Sequence, residues 1–222
     1  MSQFDARSPR PPREKIFNAP FLPLLIAASM PVLFYLQERL PDEGYSMALV
    51  PAHLWRGEWT GLFTSMLLHG NWPHVTMNAV GALAFGAPVG RLMERGPGPV
   101  VFILFYIAAG VIAAFGYALT HPHSMGPLVG ASGAVFGLIG AATRLMGGRG
   151  RVMPLFHPMV LKASAAWMAV NLVVGLIGLA PGADGARIAW EAHAFGFLFG
   201  ILAIGPIGGW FAARRDLPRA EV

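Results

Sequence analysis

The sequence contains no cysteine, little charge and no internal repeat. With no thiol among 222 residues, a disulfide framework, a thiolate nucleophile and a zinc–thiolate site are all excluded. Charged residues make up only 12% of the chain, about half the ~25% typical of soluble domains. The absence of repeated halves weighs against a transporter built on internal symmetry. A net charge of +5 could suggest a nucleic-acid partner, but the placement of the basic residues speaks for membrane topology and no nucleic acid is expected.

What remains is apolar. Hydrophobic residues form 55% of the chain and the mean hydropathy is +0.55. They come in long runs without strand or amphipathic-helix alternation, the pattern of membrane spans. The expected fold class is all-α, a polytopic bundle of six transmembrane helices at residues 20–37, 73–92, 99–119, 131–147, 158–180 and 188–211. The first span is read as retained and not as a signal peptide, because no small-residue cleavage pattern precedes the charged QERLPDE.

Positive charges orient the bundle. Arg7, Arg10, Arg13 and Lys15 precede the first span, and Arg91 and Arg95 follow the second. Arg144, Arg149 and Arg151 surround the loop after the fourth, and Arg214, Arg215 and Arg219 follow the sixth. The opposite side holds only Arg39, Arg56 and Arg187, beside Glu38, Asp42, Glu43, Glu58 and Asp184. Both termini are therefore expected in the cytoplasm. The chain divides into a disordered tail at 1–19, a core at 20–212 and a second tail at 213–222. Within the core, residues 38–72 form a long outer loop carrying Trp55, Trp59 and Trp72, a composition suited to the membrane interface.

Counting depth locates the chemistry. With a rise of ~1.5 Å per residue and a ~30 Å hydrocarbon core, Ser132 stands roughly 18 Å above Arg144, hence about 12 Å below the outer edge. Asn78 stands roughly 20 Å above Arg91, with His74 one turn further out on the same face. His193 lies about 9 Å below the outer end of the sixth span. Three helices thus bring Ser, His and Asn to a similar level beneath the outer surface. Intramembrane polar groups are costly and mark functional sites by default. A serine alone in a glycine-rich span is ordinarily a packing residue, and a lone histidine can be an interhelical hydrogen bond. Their matched depth argues for more. Gly133, Gly137 and Gly140 form a small-residue stripe on the fourth span, and His193, Gly196 and Gly200 share a face of the sixth. If these stripes meet, the close backbone approach carries His193 towards Ser132.

These residues also fall into recognisable motifs. GASG (Gly130–Gly133), AHAFGFLFG (Ala192–Gly200) and HGNWPHVTMN (His69–Asn78) resemble, in order and spacing across residues 20–212, the rhomboid family of intramembrane serine proteases in its compact six-helix bacterial form. The resemblance implies Ser132 as nucleophile and His193 as general base, a dyad without a carboxylate. Independently, Glu191 is rotated about 200° from His193 along a helix and is poorly placed to orient it. Phe136, where many members carry tyrosine, offers a ring to pack on the imidazole. Oxyanion donors would be the Ser132 backbone N–H, the Asn78 amide and the His74 imidazole, aided by the helix dipole. His69 is read as structural, while His53, His121, His123 and His157 are read as loop residues. One departure stands out: where relatives often carry a Trp-Arg pair, this chain has Thr60-Gly61.

The expected partners are the lipid bilayer and single-span substrates whose upper helix unwinds easily, with a small residue at the cleaved bond. The expected location is a bacterial inner membrane, as a multi-pass protein. No cofactor and no metal is expected. The alternatives are a non-proteolytic relative that binds membrane clients, which would typically have lost the serine or histidine, and a small channel or transporter using His69, His74 and His193. Three imidazoles could ligate zinc, but no polar line continues to the cytoplasmic side, as a through-path requires.

Overall fold

The computed structural model describes residues 19–148, 151–178 and 188–215. Each expected span coincides with a helix: α1 Phe21–Gln37, α4 Trp72–Leu92, α5 Gly98–Thr120, α6 Ser132–Leu145, α7 Pro158–Ile177 and α8 Trp190–Arg215. Two single-turn helices, α2 Pro51–Leu54 and α3 Gly61–Thr64, lie in the outer loop. All of the N-terminal tail but Ala19, residues 149–150 and 179–187, and the C-terminal tail beyond Arg215 lie outside the described residues. α8 continues to Arg215, past the expected core boundary at 212.

Three helices, α5, α7 and α8, are long and apolar enough to cross a membrane by themselves. α4 has the length, 21 residues, but carries His74, Thr76 and Asn78. α6 is the instructive case. At 14 residues it spans only ~21 Å, well short of the bilayer core and shorter than the expected 131–147. It tolerates this because nearly all its residues, from Gly133 to Leu145, are buried. A helix enclosed by other helices does not have to match lipid thickness.

The enclosure is built on glycine. A Cβ added to Gly196 would land on the Gly133 carbonyl oxygen, and one on Gly200 would land on that of Gly137. Added to Gly140, it would strike the Phe197 carbonyl. On other sides, Gly133 and Gly137 meet Ala113 and Ala109 of α5, and Gly81 of α4 sits where a Cβ would be 2.8 Å from Val135 Cγ1. The two predicted stripes thus lie against each other, backbone on backbone. In lipid such contacts are made by van der Waals packing and not by hydrophobic exclusion, so proximity matters more than side-chain size. α7, by contrast, buries only Val160, Asn171 and Gly175. It leans on α8 through Gly175 and Trp190 and on α4 through an edge-on Trp167–Phe85 pair at 5.2 Å.

The outer loop is folded over the top of α5. Leu49, Leu54 and Leu62 form a small core with Ala114 and Ala118, while Trp55, Trp59 and Phe63 are exposed. Gly61, in the place of the expected Arg, is required by packing: a Cβ there would lie 2.8 Å from Leu49 Cα. The loop also holds the strand-like segment that leads into α6. Leu49 and Leu128 exchange backbone hydrogen bonds of 3.1 and 2.7 Å, and Gly130 N–H donates to the Ser65 carbonyl at 2.9 Å. At the opposite end, Arg144 is tied to the Met153 and Ile201 carbonyls at 2.8 and 2.9 Å, which anchors α6 to α8 from below.

Candidate active site

Ser132 is the first residue of α6, and no side chain caps that helix. Its leading N–H groups and the positive end of the dipole therefore face the space in front of the hydroxyl. The turn before it depends on Gly130, whose φ of +123° suits only glycine. A Cβ there would also lie 2.8 Å from the His74 ring and 3.7 Å from Ser132 Oγ.

His193 approaches from α8. Its Nε2 lies 2.8 Å from Ser132 Oγ, a well-formed hydrogen bond between residues 61 positions apart. The Phe136 ring stacks on the imidazole at 4.2 Å with planes only 5° apart. Glu191 turns away, as its helix position dictates, and approaches His121 Nε2 at 3.7 Å.

The helix α4 supplies two further groups. Asn71 caps it, accepting from the His74 backbone N–H at 2.9 Å. The His74 Nδ1 accepts from Gly70 N–H at a long 3.4 Å, which leaves the ring proton on Nε2, the nitrogen turned towards Gly130. Asn78 is buried, and its amide Nδ2 has no hydrogen-bond partner among the described residues. Its level follows from Gly81 facing Val135: one turn back along the two parallel helices are Asn78 and Ser132. Beside Ser132 a cavity is lined by Ser65, Met66, Gly110, Ala113, Gly130 and Gly133.

His69 packs beside this cluster. Its backbone is clamped from α1, with Gln37 Nε2 donating to its carbonyl at 2.8 Å and Gln37 Oε1 accepting from its N–H at 2.9 Å. The ring is buried against Phe34 and His74. Burial, with His74 nearby as a lesser cause, pushes its pKa down to about 3, so it stays neutral. Among the loop histidines, His53 lies in α2 and pairs with Glu58 at 3.3 Å. His121 follows the end of α5, His123 lies in the loop beyond, and His157 caps α7, accepting from Met159 N–H.

The sequence reading passed over one residue of the cluster. Asn171 of α7 lies 2.9 Å from His193 Nδ1 through its Oδ1. It was detectable: an asparagine in an apolar span, thirteen residues from Pro158 and so roughly 20 Å along the helix, near the level of Ser132. Gln37 was missed as well, since nothing local pairs it with a residue 32 positions away.

Comparison with known proteins identifies a family. Residues 56–209 match the family profile described as Rhomboid domain. The chain is 33% identical over 156 residues to the "Putative rhomboid protease YdcA" of Bacillus subtilis (strain 168), covering 60% of this chain and 76% of that protein. It is 35% identical over 86 residues to "Rhomboid protease GluP" of the same organism, covering 39% of this chain and 16% of that protein. It is 40% identical over 85 residues to "RHOMBOID-like protein 9, chloroplastic" of Arabidopsis thaliana, covering 38% and 18% respectively. For the last two, therefore, the likeness spans less than a fifth of the relative.

Proposed function

This chain belongs to the rhomboid family, and from that premise we propose that it is an intramembrane serine endopeptidase using Ser132 as nucleophile and His193 as general base. The observation that carries this reading is the 2.8 Å contact between Ser132 Oγ and His193 Nε2. Serine becomes a competent nucleophile when a base removes its proton during attack. The tetrahedral intermediate then places negative charge in front of the α6 N-terminus. There the Ser132 N–H, the Asn78 amide and the His74 Nε2–H are the candidate donors, acting where water is scarce and the local dielectric low. His193 next returns the proton to the leaving amine, and water repeats the sequence to release the acyl-enzyme.

The cavity beside Ser132, where Gly110, Gly130, Gly133 and Ala113 share the wall with Ser65 and Met66, suits a small side chain at the cleaved bond. The proposed substrate is a single-span membrane protein with a segment that unwinds readily, since a helical backbone hides its carbonyls from attack. The proposed arrangement is a catalytic core at 20–212 in a bacterial inner membrane, with both termini cytoplasmic and the site opening to the outer side.

The test uses the full chain in detergent with a single-span reporter and a chelator present. Cleavage in the upper part of the reporter's span is expected. Converting the reporter's Gly and Pro helix breakers to leucine should slow cleavage roughly tenfold or more, since those residues weaken a helix by ~1–3 kcal/mol each. Equal rates would refute the unwinding requirement, and binding without any product would favour a client-binding protein instead. Asn78→Ala should lower kcat by about 10²-fold or less with KM little changed, as for one oxyanion donor among several. A kcat equal to wild type would remove Asn78 from the oxyanion site.

A further inference from the structure

Asn171 is out of character with the helix that carries it. α7 is the least embedded of the long helices, and Val170, Leu172 and Val173 around Asn171 are exposed on its surface. An asparagine in such a setting is costly unless both ends of its amide are satisfied. Both are. The Nδ2 donates to the Trp190 carbonyl at 2.9 Å, and the Oδ1 faces His193 Nδ1 at 2.9 Å.

The proton positions follow from donor and acceptor chemistry. A main-chain carbonyl only accepts, so the amide end at Trp190 is the nitrogen. The end facing His193 is then the oxygen, which also only accepts, so Nδ1 carries the ring proton. That leaves a lone pair on Nε2, the atom 2.8 Å from Ser132 Oγ and the form able to take the hydroxyl proton. Phe136 fixes the plane of the ring by stacking. It does not distinguish one ring nitrogen from the other; a directional hydrogen bond does.

We propose that Asn171 is the positioning residue of this site, holding His193 as the Nδ1–H tautomer and aiming Nε2 at Ser132 in a Ser–His–Asn relay drawn from α6, α8 and α7. This rests on the Ser132–His193 reading above. A neutral amide does the orienting without placing a charge in a dry interior, where a carboxylate would be costly to desolvate. It also makes the alignment of the imidazole depend on how α7 is seated against α8. That seat is tight at Gly175, one turn beyond Asn171, where a Cβ would lie 2.5 Å from Trp190 Cβ.

The test compares wild type, Asn171→Ala and Asn171→Asp as full chains in detergent. One readout is the labelling rate of Ser132 by a fluorophosphonate, which needs an activated serine but no helical substrate. The other is the 15N spectrum of His193 in the wild type, which needs no activity. Asn171→Ala should label roughly 10- to 10²-fold more slowly, in the range of small geometric losses at a catalytic site. In this dry interior Asn171→Asp is held as the neutral acid, which keeps an acceptor for His193 and offers its O–H to the Trp190 carbonyl, so it should label within about threefold of wild type. The spectrum should show Nδ1 as the protonated nitrogen. Asn171→Asp as slow as Asn171→Ala would show that an acceptor facing Nδ1 is not what sets the rate and overturn the proposal. So would wild-type labelling by Asn171→Ala, or a proton on Nε2. A wild type that does not label at all would sink the Ser132–His193 reading instead, and the spectrum would still decide the tautomer. If Asn171→Ala fails to fold, the Asp variant and the spectrum decide.

Discussion

Ser132→Ala is expected to reduce cleavage of a transmembrane reporter by about 10⁴-fold or more, to the level of background hydrolysis, and His193→Ala should do the same. The two effects should not add. A hydroxyl that cannot be deprotonated and a base with nothing to deprotonate are the same defect, so the double variant should match either single one. The expected loss exceeds that for Asn78→Ala because oxyanion donors are several and the nucleophile is one. Ser132→Ala should not disturb the fold. Ser132 makes its side-chain bond to His193, and removing one hydroxyl at a helix start leaves the α6 backbone contacts in place. Near-wild-type melting with no product is thus the expected pair of observations, and product formed by purified Ser132→Ala at a comparable rate would end the assignment.

The second large effect lies far from the chemistry. Gly200→Val should lower kcat by at least about 10²-fold and destabilise the protein by roughly 3 kcal/mol or more, beyond ordinary overpacking because the obstacle is backbone. A Cβ at Gly200 would fall on the Gly137 carbonyl oxygen, and a main-chain atom in mid-helix cannot rotate aside. The helices α6 and α8 must separate, and a displacement of ~1 Å is enough to break a 2.8 Å hydrogen bond such as Ser132–His193. Gly200→Ala should give a milder form of the same result. Gly209 provides the control. It lies in the same helix, but a Cβ there would meet nothing within 4 Å, so Gly209→Ala should be neutral or slightly stabilising. Melting curves and reporter cleavage on the three variants check this. A Gly200→Val protein with wild-type stability and rate would show that the close helix contact is not what holds the site together.

Some of the site was legible because the bilayer converts position along a span into depth. Arg144 and Arg91 serve as rulers, and from them Ser132 and Asn78 fall at one level without any structure. The small-residue stripes were legible too, since Gly133, Gly137, Gly196 and Gly200 recur at helical spacing and lie against one another. Asn171 escaped for a different reason. Its depth could be counted, but apart from Lys162, Ser164 and Asn171 itself the span is apolar, so the pattern does not indicate which neighbour that face meets. The Gln37 clamp on His69 escaped because a contact between residues 32 positions apart leaves no periodic trace. The length of α6 was overread, since burial inside the bundle frees a helix from the span length that lipid imposes.

From its own residues the chain determined which six apolar segments become helices and about how far along each one its polar groups sit. Those follow from hydropathy and charge, which act on each span separately. Tertiary structure alone decided the rotation of each helix about its axis and the distance between neighbours, hence that Asn171 faces His193 and that α6 lies in the centre. The physical reason is that lipid tails are as apolar as the helices they surround. Hydropathy therefore does not rank one face over another, and only the fit of glycine against backbone and of hydrogen-bonding groups against each other selects the arrangement.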